Sequence, residues 1–252
     1  NKILNGRYNL LKLYHFWSST CSRKVRICLA EKRLEWKSHH VDIVNKRENV
    51  EEWYVKLNPN AVVPTLDNDG LIVTESNIIL EYLDDCFPEL PLKSKSAYEI
   101  AKMRLWLDKA ETVVHKNINV ISWNKRHLPR MSQYSHDEHK IILEQFPDPV
   151  KRQIKLSRLE NGVSEAEELF AQDRLLEFMD DMEKSLENSP WLSGEVFSLA
   201  DIAIAPFVER FEANGLDKLV DFSDRPMIGD WWERLKKRES YQSTYAFKNP
   251  DA

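Results

Sequence analysis

Up to Pro88 the chain alternates short apolar runs with helical patterns. Leu10-Leu11-Lys12-Leu13-Tyr14-His15 predicts a strand, with Tyr14 as a packed aromatic inside it. Val25, Ile27, Cys28, Leu29 and Ala30, interleaved with Arg23, Lys24 and Arg26, predict a helix over Ser22 to Lys32. Glu35 to Ile43, apolar at Trp36, Val41 and Ile43, predicts a second strand, so the three elements make a βαβ unit with a right-handed crossover. A shorter helix is expected over Val50 to Leu57. Val62-Val63-Pro64-Thr65-Leu66 and Leu71-Ile72-Val73-Thr74, joined by Asn68-Asp69-Gly70, then form a hairpin. Glu75-Ser76-Asn77 opens a helix through Ile78, Ile79, Tyr82 and Leu83, which Pro88 stops. The order predicts a small mixed sheet flanked by helices.

Past Pro91 the strand signal disappears. Ile100, Met103, Leu107, Val114 and Ile118 recur at helical spacing, as do Leu175, Leu176, Met179, Met182 and Leu186. Ser198-Leu199-Ala200-Asp201 is a capping box with Asp in place of Glu, heading an apolar helix through Ile202, Ile204 and Phe207. Leu90 to Ser96, with one proline and two lysines, reads as a linker. The fold class is therefore an α/β domain over residues 10–89 followed by an all-α domain over 97–245. The polar stretch 127–162, holding Pro129, Pro147 and Pro149, reads as an insertion over the mouth of a site or as a partly mobile segment.

Composition narrows the partners. The 252 residues are 42% hydrophobic and 31% charged, with a net charge of -5, which gives no electrostatic footprint for nucleic acid. No apolar run approaches the ~20 residues that span a bilayer, and Asn1 to Leu10 lack the apolar stretch of a signal peptide. Cys21, Cys28 and Cys86 are too few and too irregular for a disulfide framework or a metal site. A reduced, cytoplasmic setting is expected.

Three motifs, in order and at suitable separation, carry a resemblance to the glutathione transferase superfamily over essentially the whole chain. They are Trp17-Ser18-Ser19-Thr20-Cys21-Ser22-Arg23-Lys24-Val25-Arg26 after the first strand, Asn58-Pro59 followed by Val63-Pro64-Thr65-Leu66, and Thr74-Glu75-Ser76-Asn77-Ile78-Ile79-Leu80-Glu81-Tyr82-Leu83. Ser198-Leu199-Ala200-Asp201-Ile202-Ala203 supports them downstream. The resemblance implies a thioredoxin-like N-terminal domain, a helical-bundle C-terminal domain, glutathione as cosubstrate and a homodimer. Val63 and Pro64 match a valine and a cis proline, the valine's backbone meeting the cysteinyl part of glutathione; proline is the residue for which cis is cheap. Glu75 and Ser76 match the acidic and hydroxyl pair for the γ-glutamyl end, at a helix start whose N–H groups suit a carboxylate.

The thiol of glutathione must be held as a thiolate, and a helix N-terminus favours that anion. Ser19-Thr20-Cys21-Ser22-Arg23-Lys24-Val25-Arg26 is similar to the Ser-Ser-Cys-Ser-x-x-Val-Arg motif of the zeta class, which includes maleylacetoacetate isomerases and relatives that dechlorinate hydroquinones. That match makes Ser19 the activating hydroxyl and Cys21 the thiol of the dehalogenating relatives. Phe146-Pro147-Asp148-Pro149 and Arg158-Leu159-Glu160-Asn161-Gly162 instead resemble bacterial enzymes that cleave β-aryl ethers, an alignment that puts Ser22 in the catalytic position. Cys28 reads as core and Arg26 as a structural helix residue. Trp17, Val113, Asn117, Ile121 and Trp123 are the candidates for an apolar wall facing the sulfur. The functions implied are transfer or lysis on an aromatic electrophile, isomerisation of a maleyl compound, or non-catalytic glutathione binding on the same fold.

Overall fold

The computed structural model describes residues 11–131 and 135–250. Leu10 and the other residues of the expected polar start lie outside the described residues. Strand β1 (Leu11–His15) leads through a tight turn into helix α1 (Thr20–Glu31), which returns the chain to β2 (Trp36–His40), parallel to β1. A 3₁₀ turn (Glu48–Val50) precedes α2 (Glu52–Leu57), so the helix expected from Val50 begins two residues later. β3 (Thr65–Asn68) and β4 (Leu71–Thr74) form the expected hairpin, and α3 (Ser76–Cys86) follows. The sheet order is β2-β1-β3-β4, with β1 antiparallel to β3.

Local chemistry explains the boundaries. Asp69 and Gly70 have φ of 54° and 89°, the two left-handed residues of a type I′ turn, and the Gly70 N–H donates to Asp67 Oδ1 at 2.7 Å. The apolar run Val62–Leu66 enters the ladder only at Thr65, because Pro64 has no N–H to contribute. β2 ends at His40, although the Val41 N–H still donates to His15 O at 2.8 Å.

The second half is helical. α4 (Ala97–Lys109), a π-helical segment (Ala110–His115), α5 (Lys116–Ser122), a second π-helical segment (Trp123–His127) and α6 (Leu128–Met131) run on without a break. The stretch read as an insertion or mobile segment contains helices α6, α7 (His136–Glu144) and α8 (Pro149–Asn161). Pro149 opens α8 as its first residue, where a missing N–H costs nothing, and Asp148 caps that helix. Leu143 and Phe146 pack with Trp123, Ala61 and Val163, and Val50 and Val55 lie against this cluster, so the segment rests on the sheet domain. α9 (Glu165–Leu186), α10 (Leu199–Ala213), α11 (Asp217–Val220), α12 (Pro226–Lys236) and α13 (Glu239–Ala246) complete the fold.

One apolar core runs from Leu11, Leu13 and Val25 through Met103, Met179 and Phe207 to Trp231. α1 is its centre, packed on α3, α10 and α13. Residues Leu90–Ser96 carry no helix or strand but are tied down: Lys32 Nζ donates to Asp84 Oδ1 at 2.7 Å and to Leu90 O at 2.8 Å. The Leu92 N–H donates to Asp84 Oδ1 at 2.8 Å and the Leu199 N–H to Leu92 O at 3.0 Å. These bonds tie the end of α1 to α3 and, through Leu92, to the start of α10.

Candidate functional site

The turn between β1 and α1 is braced from both domains. The Ser19 N–H donates to Phe16 O at 3.1 Å. Arg26 Nη2 donates to Trp17 O at 2.8 Å, and Arg210 Nη2, from α10, donates to Ser18 O at 2.8 Å. Burial brings both guanidiniums down to about 10, so they stay charged at neutral pH. Arg26 also reaches His15 Nδ1 at 3.0 Å, and that buried imidazole is driven down to about 3 by burial and by the arginine's charge. Arg26 is thus a structural clamp, and Cys28, fully buried, is core.

Ser19 caps α1: its backbone is extended (φ −68°, ψ 126°) and its Oγ accepts from the Ser22 N–H at 3.3 Å. The first turn holds no acidic residue. Ser22 is fully buried, and its Oγ accepts from the Phe16 N–H at 3.4 Å. Cys21 is half-buried and its Sγ lies 4.0 Å from His115 Nε2. His115 Nδ1 lies 2.8 Å from Glu111 Oε1. Burial pushes the Cys21 thiol up, but the charges of His115 and Lys24 outweigh it and bring the thiol down to about 7. The Cys21 charge in turn raises His115, against burial and with help from Glu111. Lys24 is fully buried; its Nζ donates to Asn77 Oδ1 at 3.2 Å and sits 4.6 Å over the Phe207 ring.

On the opposite side, the Val63–Pro64 bond is cis. Its approach is pinned by Asn58 and Thr65 of the second motif and by Tyr54, which the sequence did not single out. Tyr54 Oη donates to Val62 O at 2.7 Å, and Asn58 Nδ2 donates to the same oxygen at 2.8 Å. Both also reach Thr65 Oγ1, at 3.0 and 3.1 Å. Glu75 has φ 65° and ψ 114°, a left-handed φ on a residue with a Cβ, and makes no side-chain cap bond to α3. Its Oε1 accepts from Asn60 Nδ2 at 3.0 Å. Ser76 is buried at the first position of that helix.

The expected wall residues have varied surroundings. Trp17 is half-buried beside the Phe16 ring, and Val113 is half-buried in the first π-helical segment. Asn117 donates its amide to Val113 O at 2.7 Å, Ile121 is fully buried, and Trp123 Nε1 donates to Arg158 O at 3.1 Å. The pair Glu111 and His115 went unnoticed in the sequence; its one signal was an acid and a histidine four residues apart. Among the described residues no three His, Cys, Asp or Glu side chains come together as a metal site would need. No helix among them is long and apolar enough to cross a membrane.

This arrangement places two helix starts and a pinned Val-Pro bend on a thioredoxin-like sheet, in front of a helical bundle. The N-terminal domain model of glutathione S-transferases matches residues 18–86 and the C-terminal model residues 129–237. Protein LigF of Sphingobium sp. (strain NBRC 103272 / SYK-6) is 32% identical over 250 residues, covering 93% of each chain. The crystal structure of beta-etherase LigF from strain SYK-6 superposes with a TM-score of 0.86 over 93% of this chain and 98% of that one, at 28% identity. A tetrachloro-p-hydroquinone reductive dehalogenase of Sphingobium chlorophenolicum is 28% identical over 95% of this chain and 97% of its own. A maleylacetoacetate isomerase of Dictyostelium discoideum is 37% identical over 134 residues, 52% of this chain and 58% of that protein. The chain belongs to the glutathione S-transferase family, whose cosubstrate is glutathione.

Proposed function

We propose that this protein uses glutathione to attack an aromatic electrophile, by cleaving an aryl ether or displacing a halide. The observation that carries the reading is Glu75, held at a left-handed φ directly before the uncapped start of α3 and across from the pinned Val63 backbone. A residue with a Cβ occupies such a conformation when its surroundings demand it, commonly at a binding site. In this reading Ser76 and the α3 N–H groups take the γ-glutamyl carboxylate, Glu75 takes the ammonium, and Val63 pairs with the cysteinyl backbone beside Pro64. The Ser19 hydroxyl, which uses a lone pair for its cap, donates its hydrogen to the sulfur, and the start of α1 stabilises the thiolate. Cys21 and Ser22 flank it as the other candidates. The thiolate forms a carbon–sulfur bond, the carbon–oxygen or carbon–halogen bond breaks, and the aryloxide or halide leaves. Trp17, Val113, Asn117, Ile121 and Trp123 mark the side from which the second substrate approaches. The whole-length likeness to LigF and to the dehalogenase supports an aromatic substrate.

The likeness of about half of the chain to an isomerase supports a second reading, in which glutathione adds to a maleyl double bond and departs after rotation. The two differ in stoichiometry. Incubation with glutathione and a β-aryl ether dimer is expected to release phenol and a glutathione thioether in equal amounts, read by mass spectrometry. Isomerisation of maleylacetoacetate with no glutathione consumed would favour the second reading, and failure to bind immobilised glutathione would remove both.

We further propose a cytoplasmic homodimer. Leu71, Ile72, Ile78, Tyr98 and Leu105 are large, apolar and exposed on β4, α3 and α4, which leaves apolar surface for a second copy to cover. Light scattering should return twice the chain mass for the native protein and the single mass for Leu105→Glu.

A further inference from the structure

Helix α8 gathers cations where it meets the sheet domain. Lys151, Lys155 and Arg158 stand four and then three residues apart, so they share one face of the helix. The adjoining row, Leu156 and Leu159, packs on the cluster of Trp123, Phe146 and Ala61, so the cations border the contact between the domains. Arg47 joins them from the sheet domain. It stands before the 3₁₀ turn with a φ of 57°, and its Nη1 donates to Ile43 O at 3.1 Å.

Lys155 is the centre of the group. Its Nζ sits 4.6 Å over the Phe146 ring, and among the described residues no carboxylate pairs with it. Burial and the charges of Arg47, Arg158 and Lys151 bring this ammonium down to about 8, so it stays charged at neutral pH. Arg158 lies 5.9 Å over the Trp123 ring. The row also reaches the α1 side of the cleft. Burial pushes the Glu111 carboxyl up, but His115, Lys24 and Lys151 together bring it down. Lys151 therefore acts from α8 on the acid whose carboxylate lies 2.8 Å from His115 Nδ1. With Arg47 on one side and Glu111 on the other, α8 roofs the approach to the start of α1.

Like charges held against ring faces repel one another, and their desolvation adds to the cost. An anion among them offsets both, through charge-assisted hydrogen bonds. We propose that Lys155, with Arg47, Lys151 and Arg158 around it, holds a carboxylate carried by the aromatic electrophile, so that aryl carboxylates are the preferred second substrates. The aromatic ring then lies on the Trp123 side of the cleft and its carboxylate on the α8 side. This rests on the glutathione-transfer reading above. Glutathione brings carboxylates of its own, so the two sources have to be told apart.

Calorimetry on the whole protein does so with S-methylglutathione, the carboxynitrophenyl thioether of glutathione, and that thioether with its ring carboxyl methylated. Wild type is expected to bind the acid thioether roughly tenfold more tightly than the ester, the scale of one hydrogen bond to a charged group. Lys155→Met should abolish that preference and leave S-methylglutathione unchanged, and Lys155→Arg, which keeps the charge, should retain it. Lys155→Gln reads the same loss should the methionine variant not fold. Equal affinity of wild type for acid and ester, with S-methylglutathione bound, overturns the proposal alone. A loss of S-methylglutathione in Lys155→Met as large as that of the acid thioether also overturns it, because the cations would then hold glutathione itself. Failure of wild type to bind S-methylglutathione removes the glutathione reading and the proposal with it.

Discussion

Helices α1 and α10 both start behind a serine, yet the two starts are built differently. At α10, Ser198 and Asp201 close a capping box, and the Asp201 carboxylate also accepts from Trp231 Nε1 at 2.9 Å and the Leu192 N–H at 3.1 Å. Every group there is buried and partnered, and the start is a structural knot. At α1, Ser19 caps alone, no acid occupies the first turn, and the charges of His115 and Lys24 outweigh that of Glu111 at Cys21. An acid in that first turn would complete a box and gain stability, but it would also repel a thiolate. The difference shows how one local device serves folding in one place and leaves a positive pole for chemistry in another.

The comparison can be broken at the structural end first. Asp201→Ala leaves Trp231 Nε1 and the Leu192 and Ser198 N–H groups without their acceptor, and is expected to cost about 3–4 kcal/mol in urea unfolding. A loss under 1 kcal/mol would mean the knot is dispensable. Ser76→Ala probes the third helix start and should weaken glutathione by about 1–2 kcal/mol by calorimetry, with the unfolding midpoint nearly unchanged. Equal affinity in the two proteins would move the γ-glutamyl site elsewhere.

At α1 the expected stability effect is smaller and the chemical one larger. Ser19→Ala should cost about 1 kcal/mol of stability, the usual worth of a cap. It should also raise the pKa of bound glutathione, because a hydroxyl donor stabilises only the charged sulfur. Thiolate absorbance against pH reads this directly in Ser19→Ala, Cys21→Ser and Ser22→Ala. A titration unmoved by Ser19→Ala, with turnover lost in Cys21→Ser, would transfer the chemistry to Cys21. Thr20→Glu sharpens the contrast from the other side. It should stabilise the fold by about 0.3–1 kcal/mol through the helix dipole while moving Cys21 alkylation to higher pH. A variant both more stable and equally reactive would show that the missing acid has no electrostatic purpose.

What could be read from the sequence follows the range of the interactions involved. The βαβ unit, the Asp69-Gly70 turn, the Ser198 box and the Val63-Pro64 and Glu75-Ser76 motifs are all short-range. Backbone sterics, a missing N–H or a cap three residues away decides each, and such terms are written in consecutive residues. The prolines of 127–162 hid its helices for the same reason viewed from the wrong end: Pro149 would break a helix in its interior but starts α8 well.

By itself, then, the amino-acid sequence determined the elements, their caps and the Val63-Pro64 and Glu75-Ser76 turns, because local geometry sets them. Only the tertiary structure decided how the α1 turn is held and what faces Cys21. Arg210 reaches Ser18 across 192 residues, and His115 reaches Cys21 across 94. The first contact depends on how α10 packs on α1, and the second on a π bulge that shifts the helical phase by a residue. No periodicity rule announces either one: packing of two domains over a shared core fixes both, and that packing is a property of the whole chain.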